Sequence, residues 1–127
     1  MPVTSVVFFK EVDGSVPVAE WMLELGHTNR KAFLKCAARL ERLREMGYEL
    51  RRPEVDLLRN GIYELRARFG TVQYRILYFF HGRQAAVLTH AITKEQDIPS
   101  VEIDLALKRM RAFVSNPQRH THIGEVP

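Results

Sequence analysis

The strongest constraint on the fold is the stretch IYELRARF, in which apolar and charged side chains alternate from Tyr63 to Phe69. In an extended chain one side would carry Tyr63, Leu65, Ala67 and Phe69, and the other Glu64, Arg66 and Arg68. A period of two is typical of a β-strand with one face on the core. Gly70-Thr71 offers a tight turn into VQYRILYFF, and Gly82-Arg83 offers another into QAAVLTHAIT. Three strands joined by two-residue loops predict an antiparallel meander.

Helical patterns stand on both sides of this meander. Pro17 is placed to open a first helix, and a longer helix follows that ends at Gly47. Apolar side chains recur in the longer helix at spacings of three and four residues: Ala32, Phe33, Cys36, Ala37, Leu40 and Leu43. The short joint between the two predicts an αα-hairpin. Pro99 opens a last helix.

Two further segments complete the predicted fold. VTSVVFF, near the start, is β-branched and aromatic and indicates a short first strand. Residues 49–61 are expected to be a connector, with the Asn60-Gly61 dipeptide as a turn signal. The result is an α+β fold with an N-terminal strand, an αα-hairpin, a three-stranded antiparallel meander and a C-terminal helix. We expect one domain over residues 1–115 and a flexible polar tail over residues 116–127.

Composition excludes several classes of protein. A lone Cys36 allows no internal disulfide, and no Cys/His spacing indicates a zinc site, so we expect no metal and no cofactor. No apolar run approaches the roughly 20 residues of a membrane span. The N-terminus lacks a basic region followed by a long apolar stretch, so it does not resemble a signal peptide. These features predict a cytoplasmic protein with no membrane partner.

Positive charge is concentrated in the middle of the chain. Residues 30–83 contain thirteen Lys and Arg against six Asp and Glu. Such a segment favours a polyanionic partner, either nucleic acid or an acidic protein segment. Lys31 and Lys35 belong to a basic row on the longer predicted helix and are candidate RNA-binding residues. The alternative is an ordinary solvated face, because Glu41 and Glu45 interrupt the row.

The first predicted turn determines which side chains face each other. If Gly70-Thr71 is a two-residue loop, Arg66 lies directly opposite Arg75, and Arg68 lies opposite Gln73. Two opposed arginines lower stability unless an anion lies between them. Because a guanidinium binds two phosphate oxygens at once, this pair is a candidate phosphate receptor, with Arg68 and Gln73 as further RNA-binding residues.

The second predicted turn adds a histidine to the same face. If Gly82-Arg83 is the loop, Arg75 lies opposite His90, and Lys94 lies farther along the same strand on the same side. A histidine of ordinary pKa, about 6.5, exchanges protons at neutral pH. Arg66, Arg75, His90 and Lys94 are therefore the candidate catalytic residues.

Cations and a proton acceptor suffice for RNA cleavage in which the 2′-hydroxyl attacks its own phosphate. We expect Arg75→Ala to reduce activity with little loss of stability, because it removes one of two opposed cations. The alternative is structural. Arg66 would then pair with Glu64, or with Glu102 or Asp104 of the last helix, and His90 would be a hydrogen-bonded, half-buried residue.

Four stretches of the chain, taken in order, resemble one known family. They are VVFFKEVDGSVPVAEWMLEL, LLRNGIYELR, VQYRILYFFHG and VLTHAITKEQDIPSVEIDLALKRM. Together they resemble the RelE/HigB-type toxins of toxin–antitoxin systems, in particular the phage-derived HigB branch. The resemblance extends from Val6 to Met110.

The resemblance implies a RelE-like fold and a cytoplasmic toxin of prophage origin. Such a toxin is an endoribonuclease, a hydrolase that cleaves mRNA on the ribosome without a metal and so inhibits translation. Its partner would be a cognate antitoxin with a helix-turn-helix domain, held in a hetero-oligomer. Arg66 matches the arginine of the family's E-L-R motif, Arg75 that of Y-R, and Lys94 the first lysine after the last strand. His90 matches a position where histidine is common.

Two other functions remain open on the sequence. Toxins of the ParE type use the same fold to inhibit DNA gyrase without being enzymes. In their favour, the chain has Lys94-Glu95 where the HigB branch often has two lysines. The third possibility is an inactive prophage relic that retains only antitoxin binding.

Overall fold

In the computed structural model, which describes residues 3–93 and 97–123, five strands form one sheet with helices on both faces. The elements are β1 (Ser5–Phe8), α1 (Pro17–Thr28), α2 (Arg30–Met46), β2 (Val55–Arg59), β3 (Ile62–Phe69), β4 (Val72–His81), β5 (Ala85–Thr93) and α3 (Ser100–Ser115). The strand order is β1-β5-β4-β3-β2, with β1 parallel to β5 and the other pairs antiparallel. The predicted α+β fold, with its N-terminal strand, αα-hairpin, meander and C-terminal helix, is confirmed.

Strand β2 lies within the segment that the sequence predicts as a connector. Arg59 pairs with Ile62, so Asn60 and Gly61 are the two residues of a hairpin loop. Both have positive φ, 51° at Asn60 and 85° at Gly61, as a type I′ turn requires. The prediction of a simple connector is therefore wrong, although its Asn-Gly signal correctly marks a turn.

The two faces of the sheet form separate cores. Helices α1 and α2 cover one face, where they bury Leu65, Ile76 and Leu88. Helix α3 covers the other, where Leu77 and Val87 pack against Phe113. Cys36 is fully buried under the αα-hairpin, and burial raises the pKa of its thiol to about 12. It is a core residue.

The register of β4 and β5 differs from the predicted one. The loop has three residues, because His81 pairs with Ala85, and Thr89 then forms a β-bulge. Beyond the bulge Leu77 pairs with His90, and Arg75 pairs with Ile92 instead of His90. The longer loop alone would have turned His90 to the other face, but the bulge turns it back. His90 is not directly opposite Arg75, yet it shares a face with it.

The chain after α3 returns to the first strand. Thr121 forms an antiparallel bridge with Phe9, and the His120 ring stacks on the Phe9 ring at 5.0 Å between centroids. The backbone N–H of Lys10 donates to the carbonyl of His120 at 2.8 Å. Residues 117–121 therefore lie along the outer edge of the sheet near β1. The domain bounds and the flexible tail over residues 116–127 stay predictions.

Candidate functional site

The two candidate arginines face each other as predicted, with a carboxylate between them. Arg66 pairs with Arg75 across β3 and β4, and Glu64 precedes Arg66 by two residues on the same face. The Arg75 Nη1 lies 2.9 Å from the Glu64 Oε2, and the Arg66 Nε lies 2.8 Å from the Glu64 Oε1. The anion that two opposed arginines need is therefore supplied by the chain itself.

These three residues belong to a longer chain of ion pairs. The Arg66 Nη2 is 3.0 Å from Asp56 on β2, and Asp56 in turn binds Arg52. Exposure falls steeply from the outer end of this row of ion pairs to its inner end. The Arg52 side chain is 76% exposed and that of Arg66 27%, whereas Arg75 is 8% exposed and Glu64 2%. Arg66 is thus the arginine of the facing pair that a ligand in solution can reach.

Arg75 is bound by Glu64, but not all of its hydrogen-bond donors have a partner among the described residues. Its Nη1 binds both oxygens of Glu64. Its Nε is buried and has no hydrogen-bond partner among the described residues. The expectation that Arg75→Ala costs little stability assumed that no anion lies between the arginines, and the position of Glu64 shows that this assumption does not hold. Loss of the Arg75 side chain would leave a buried carboxylate with one cation fewer.

His90 lies on the same face, in contact with α3. Glu64 and His90 both pair with Leu77, which packs against α3. The side chains of Glu64, Leu77 and His90 therefore lie on the sheet face that α3 covers. The His90 Nε2 is 3.0 Å from the Glu102 Oε1, in the first turn of α3. The alternative of a hydrogen-bonded, half-buried His90 agrees with the hydrogen bonding, but the residue is more deeply buried than expected, at 7% exposed.

Burial sets the charge state of His90. It lowers the pKa of His90 below 6.5, and the positive charge of Arg109 lowers it further, whereas Glu102 raises it. The imidazole is therefore mostly neutral at neutral pH. The Thr89 hydroxyl lies 3.1 Å from the His90 Nδ1 and 3.3 Å from the carbonyl of Leu77. Because this hydroxyl can donate to either, it can accommodate both tautomers of the ring.

Arg109 binds the backbone of the Thr89 bulge beside His90, a contact that the sequence did not predict. Its Nη1 donates to the carbonyl of Thr89 at 3.1 Å, and its Nη2 lies 2.9 Å from Glu11 in the loop after β1. Its guanidinium also lies over the Phe9 ring, 5.7 Å from the centroid. Helix α3, the bulge and the β1–α1 loop are therefore joined at one side chain.

Two further candidates, Arg68 and Gln73, lie away from the contacts of Arg66, Arg75 and His90. Arg68 and Gln73 face each other at the far end of the β3–β4 hairpin, as predicted. Arg68 is exposed and donates to the carbonyl of Gly70, and the Gln73 Oε1 is buried without a partner among the described residues. Lys94 lies outside the described residues. The RNA-binding and catalytic roles of all these residues stay predictions.

Lys31 and Lys35 lie on a different layer of the molecule. Both are exposed on α2, which packs on the sheet face opposite to that of Arg66, Arg75 and His90. The sheet therefore separates the two lysines from the candidate site.

Most arginines of the basic segment are already paired. Arg39 and Arg42 both bind Glu54, at 2.9 Å and 3.0 Å, and these contacts lower the pKa of Glu54. Arg44 binds Glu41 on the same helix, and Arg59 binds Asp104 of α3 at 2.6 Å. The net charge of the segment is unchanged by these contacts, but fewer of its guanidinium groups are free to bind an external anion.

The described residues contain no group of three or more His, Cys, Asp or Glu placed to hold a metal ion. Within the same ranges, none of the helices is long and apolar enough to cross a membrane.

The sequence does not single out Asp56, which binds Arg66, or Arg109, which binds the bulge beside His90. It indicates Glu64 as a possible partner of Arg66, which the structure bears out, and Glu102 as another, although Glu102 contacts His90 instead. A signal existed for Glu64, because the alternation of β3 already places it beside Arg66. No local pattern marks Glu102 or Arg109, which reach the site only through the packing of α3.

Comparison with known proteins gives one finding on the family. The family described as phage-derived protein Gp49-like (DUF891) matches residues 20–111, which include α2, the meander and most of α3. No curated protein matches the chain.

Proposed function

The chain belongs to the Gp49-like family of phage-derived proteins, and from this we propose that it is the toxin of a toxin–antitoxin pair that cleaves mRNA on the ribosome. Its partners are the mRNA, the ribosome and a cognate helix-turn-helix antitoxin, and it acts in the cytoplasm. The observation that carries the proposal is the pairing of Arg66 with Arg75 on the face of His90.

Arg66 is the group that binds the phosphate in this proposal. It is 27% exposed, and it shares Glu64 with Arg75, so the three groups together retain one positive charge. A phosphate oxygen that approaches Arg66 competes with Asp56 for the Nη2. Arg75 is too buried to be the main contact with the substrate, and it keeps Glu64 and Arg66 in position. Arg66 is then a catalytic residue, and Arg75 a positioning residue.

His90 is the proton acceptor. When its Nδ1 donates to Thr89 and Thr89 donates to the carbonyl of Leu77, the Nε2 carries a free lone pair. That nitrogen takes the proton of the 2′-hydroxyl while the oxygen attacks the adjacent phosphorus, and the bond from phosphorus to the 5′-oxygen breaks. The 5′-oxygen leaves with the bonding electrons and takes a proton from water, so the products are a 2′,3′-cyclic phosphate and a free 5′-hydroxyl. Glu102 must first leave the Nε2. Its side chain is 31% exposed, in the first turn of α3.

The test is expression of the chain from a tightly repressed promoter, followed by mapping of the 5′ ends of cellular mRNA. The wild type is expected to arrest growth and to produce new 5′ ends within translated messages. Arg66→Gln and His90→Gln are expected to remove both effects. Arg111→Gln, on the exposed side of α3, is the matched control and is expected to behave as wild type.

Two outcomes contradict the nuclease proposal. Growth arrest with intact messages and an induced DNA-damage response would indicate a gyrase inhibitor of the ParE type. Unaffected growth without antitoxin would indicate an inactive relic. Glu64 and Glu102 already occupy the cationic groups and His90, and this is the observation that favours either alternative.

A further inference from the structure

A shallow groove lies between the outer face of α2 and the end of β3. Its volume is about 310 Å³, and it is lined by Lys31, Leu34, Lys35, Ala38 and Phe69. The four helical residues follow a spacing of three, four and seven, so they form one stripe along about two turns of α2. Phe69, the last residue of β3, lies beside this stripe.

The floor of the groove is apolar. Leu34 is 51% exposed, although the other side of the same helix buries Phe33 and Cys36 in the core. Ala38 is exposed as well, and Phe69 is half-buried. Contiguous apolar side chains that remain in water at a concave site are typical of a protein-binding surface.

The rim of the groove is positive. Among the described residues, neither Lys31 nor Lys35 has an ion pair or hydrogen bond, in contrast to Arg39, Arg42 and Arg44 farther along α2. Of the residues that the structure describes, none that lines the groove is acidic. A bound segment that placed carboxylates at this rim would supply the missing partners.

We propose that this groove is the docking site for a short, acidic, amphipathic segment of a partner protein, and that the partner is the antitoxin of the proposed pair. The inference rests on the proposed function. Apolar side chains of the segment cover Leu34, Ala38 and Phe69, and its carboxylates pair with Lys31 and Lys35. Protein is favoured over RNA because the floor offers apolar side chains, whereas phosphate binding needs only the lysines.

The position of the groove has a consequence for neutralisation. It lies on the α2 layer, and the sheet separates it from Arg66, Arg75 and His90. A segment bound here leaves the catalytic face open. The groove therefore anchors the partner, and another part of that partner blocks the site or the approach to the ribosome.

The test uses the full chain and the product of the adjacent reading frame, with the affinity measured by calorimetry. Leu34→Glu is expected to weaken binding at least about tenfold, because it removes apolar contact and adds a charge of the partner's sign. Leu23→Glu is the matched control. Leu23 is 52% exposed on α1, and its substitution is expected to leave the affinity unchanged.

A double variant, Lys31→Gln with Lys35→Gln, separates the rim from the floor. It is expected to slow association and to reduce the dependence of binding on salt. The mRNA cleavage of Leu34→Glu is expected to stay at the wild-type level.

The outcomes are distinct. If Leu34→Glu and Leu23→Glu bind the partner equally well, the docking inference is wrong and the proposed function stands. If the lysine variant loses mRNA cleavage and keeps its partner, Lys31 and Lys35 bind RNA. If Leu34→Glu instead abolishes self-association of the free chain, the occupant is a second copy. If the wild type binds no product of the adjacent frame, the proposed toxin–antitoxin pair itself fails.

Discussion

At the scale of single residues, the candidate site is governed by one buried carboxylate. The Glu64 side chain is 2% exposed, and its two oxygens bind Arg75 and Arg66. A carboxylate so far from water needs such partners, since an unpaired charge at this depth costs several kcal/mol, on the order of the 3–5 kcal/mol seen when one partner of a buried pair is removed. Glu64 and Arg75 therefore hold each other in place.

Arg75→Ala is accordingly expected to lower the free energy of unfolding by about 3 kcal/mol, because it leaves Glu64 with Arg66 as its one cation. Urea denaturation followed by circular dichroism measures this loss. The double variant Glu64→Leu with Arg75→Met removes both charges and is expected to lose less than Arg75→Ala alone. An Arg75→Ala variant as stable as the wild type would show that the pair contributes little.

The pKa of His90 offers a second test at this scale. Nuclear magnetic resonance titration of the imidazole is expected to give a value below 6.5 in the wild type. Arg109→Gln is expected to raise it, because a nearby positive charge is lost, and Glu102→Gln is expected to lower it further, because a negative charge is lost. Shifts of the same sign in both variants would contradict the electrostatic account.

At the scale of elements, the hairpin between β2 and β3 shows how a two-residue turn creates a strand. Asp56 reaches Arg66 only because the Asn60-Gly61 turn folds β2 back along β3. The type I′ turn has the twist that neighbouring strands need, and positive φ at both of its positions favours Asn and Gly. The outermost part of the ion-pair chain therefore depends on this turn.

Gly61→Ala is expected to destabilise the protein by about 1–2 kcal/mol, because an L-residue is strained at positive φ. A Cβ at this position would meet nothing within 4 Å, so the effect isolates the backbone. Thermal unfolding measures it, and Asn60→Gly serves as the control, with little change expected. Equal melting temperatures for Gly61→Ala and the wild type would argue against the turn.

At the scale of the whole molecule, the ion pairs join layers that are distant in sequence. Glu54 ties α2 to the strand that follows it, Arg59 and Asp104 tie β2 to α3, and Arg109 ties α3 to the loop after β1. In these contacts, arginines that would otherwise repel one another are paired with carboxylates. The basic segment is thus partly engaged in contacts within the fold, and fewer of its side chains are left for a polyanion.

The pH dependence of stability follows from two of these groups. The folded-state pKa values of His90 and Glu54 are both lowered, so each group contributes stability that is complete above its unfolded value. As the pH falls, stability is expected to decline first below 6.5, where His90 protonates in the unfolded chain, and again below 4.5 for Glu54. Glu54→Gln is expected to flatten the second decline. Urea midpoints measured from about pH 3.5 to about pH 7.5, which is roughly one unit beyond each transition, test this.

Part of this protein could be predicted from the sequence. The alternation of β3 determined that Arg66 and Glu64 share a face, and the Gly70-Thr71 turn determined that Arg66 lies opposite Arg75. Both depend on bond geometry and on neighbours within a few residues, because the side-chain period of a strand is two. The αα-hairpin and the C-terminal helix followed from equally local patterns.

The tertiary structure alone decided the rest. The Thr89 bulge, the contact of Glu102 with His90 and the separation of Lys31 and Lys35 from Arg66 all depend on how distant elements pack. A pattern in the sequence states what each segment prefers, but not which charge of another segment lies against it. Arg66 and Arg75 could be placed opposite each other from the sequence, whereas the role of Glu64 as their shared, buried anion appeared only in the packed sheet.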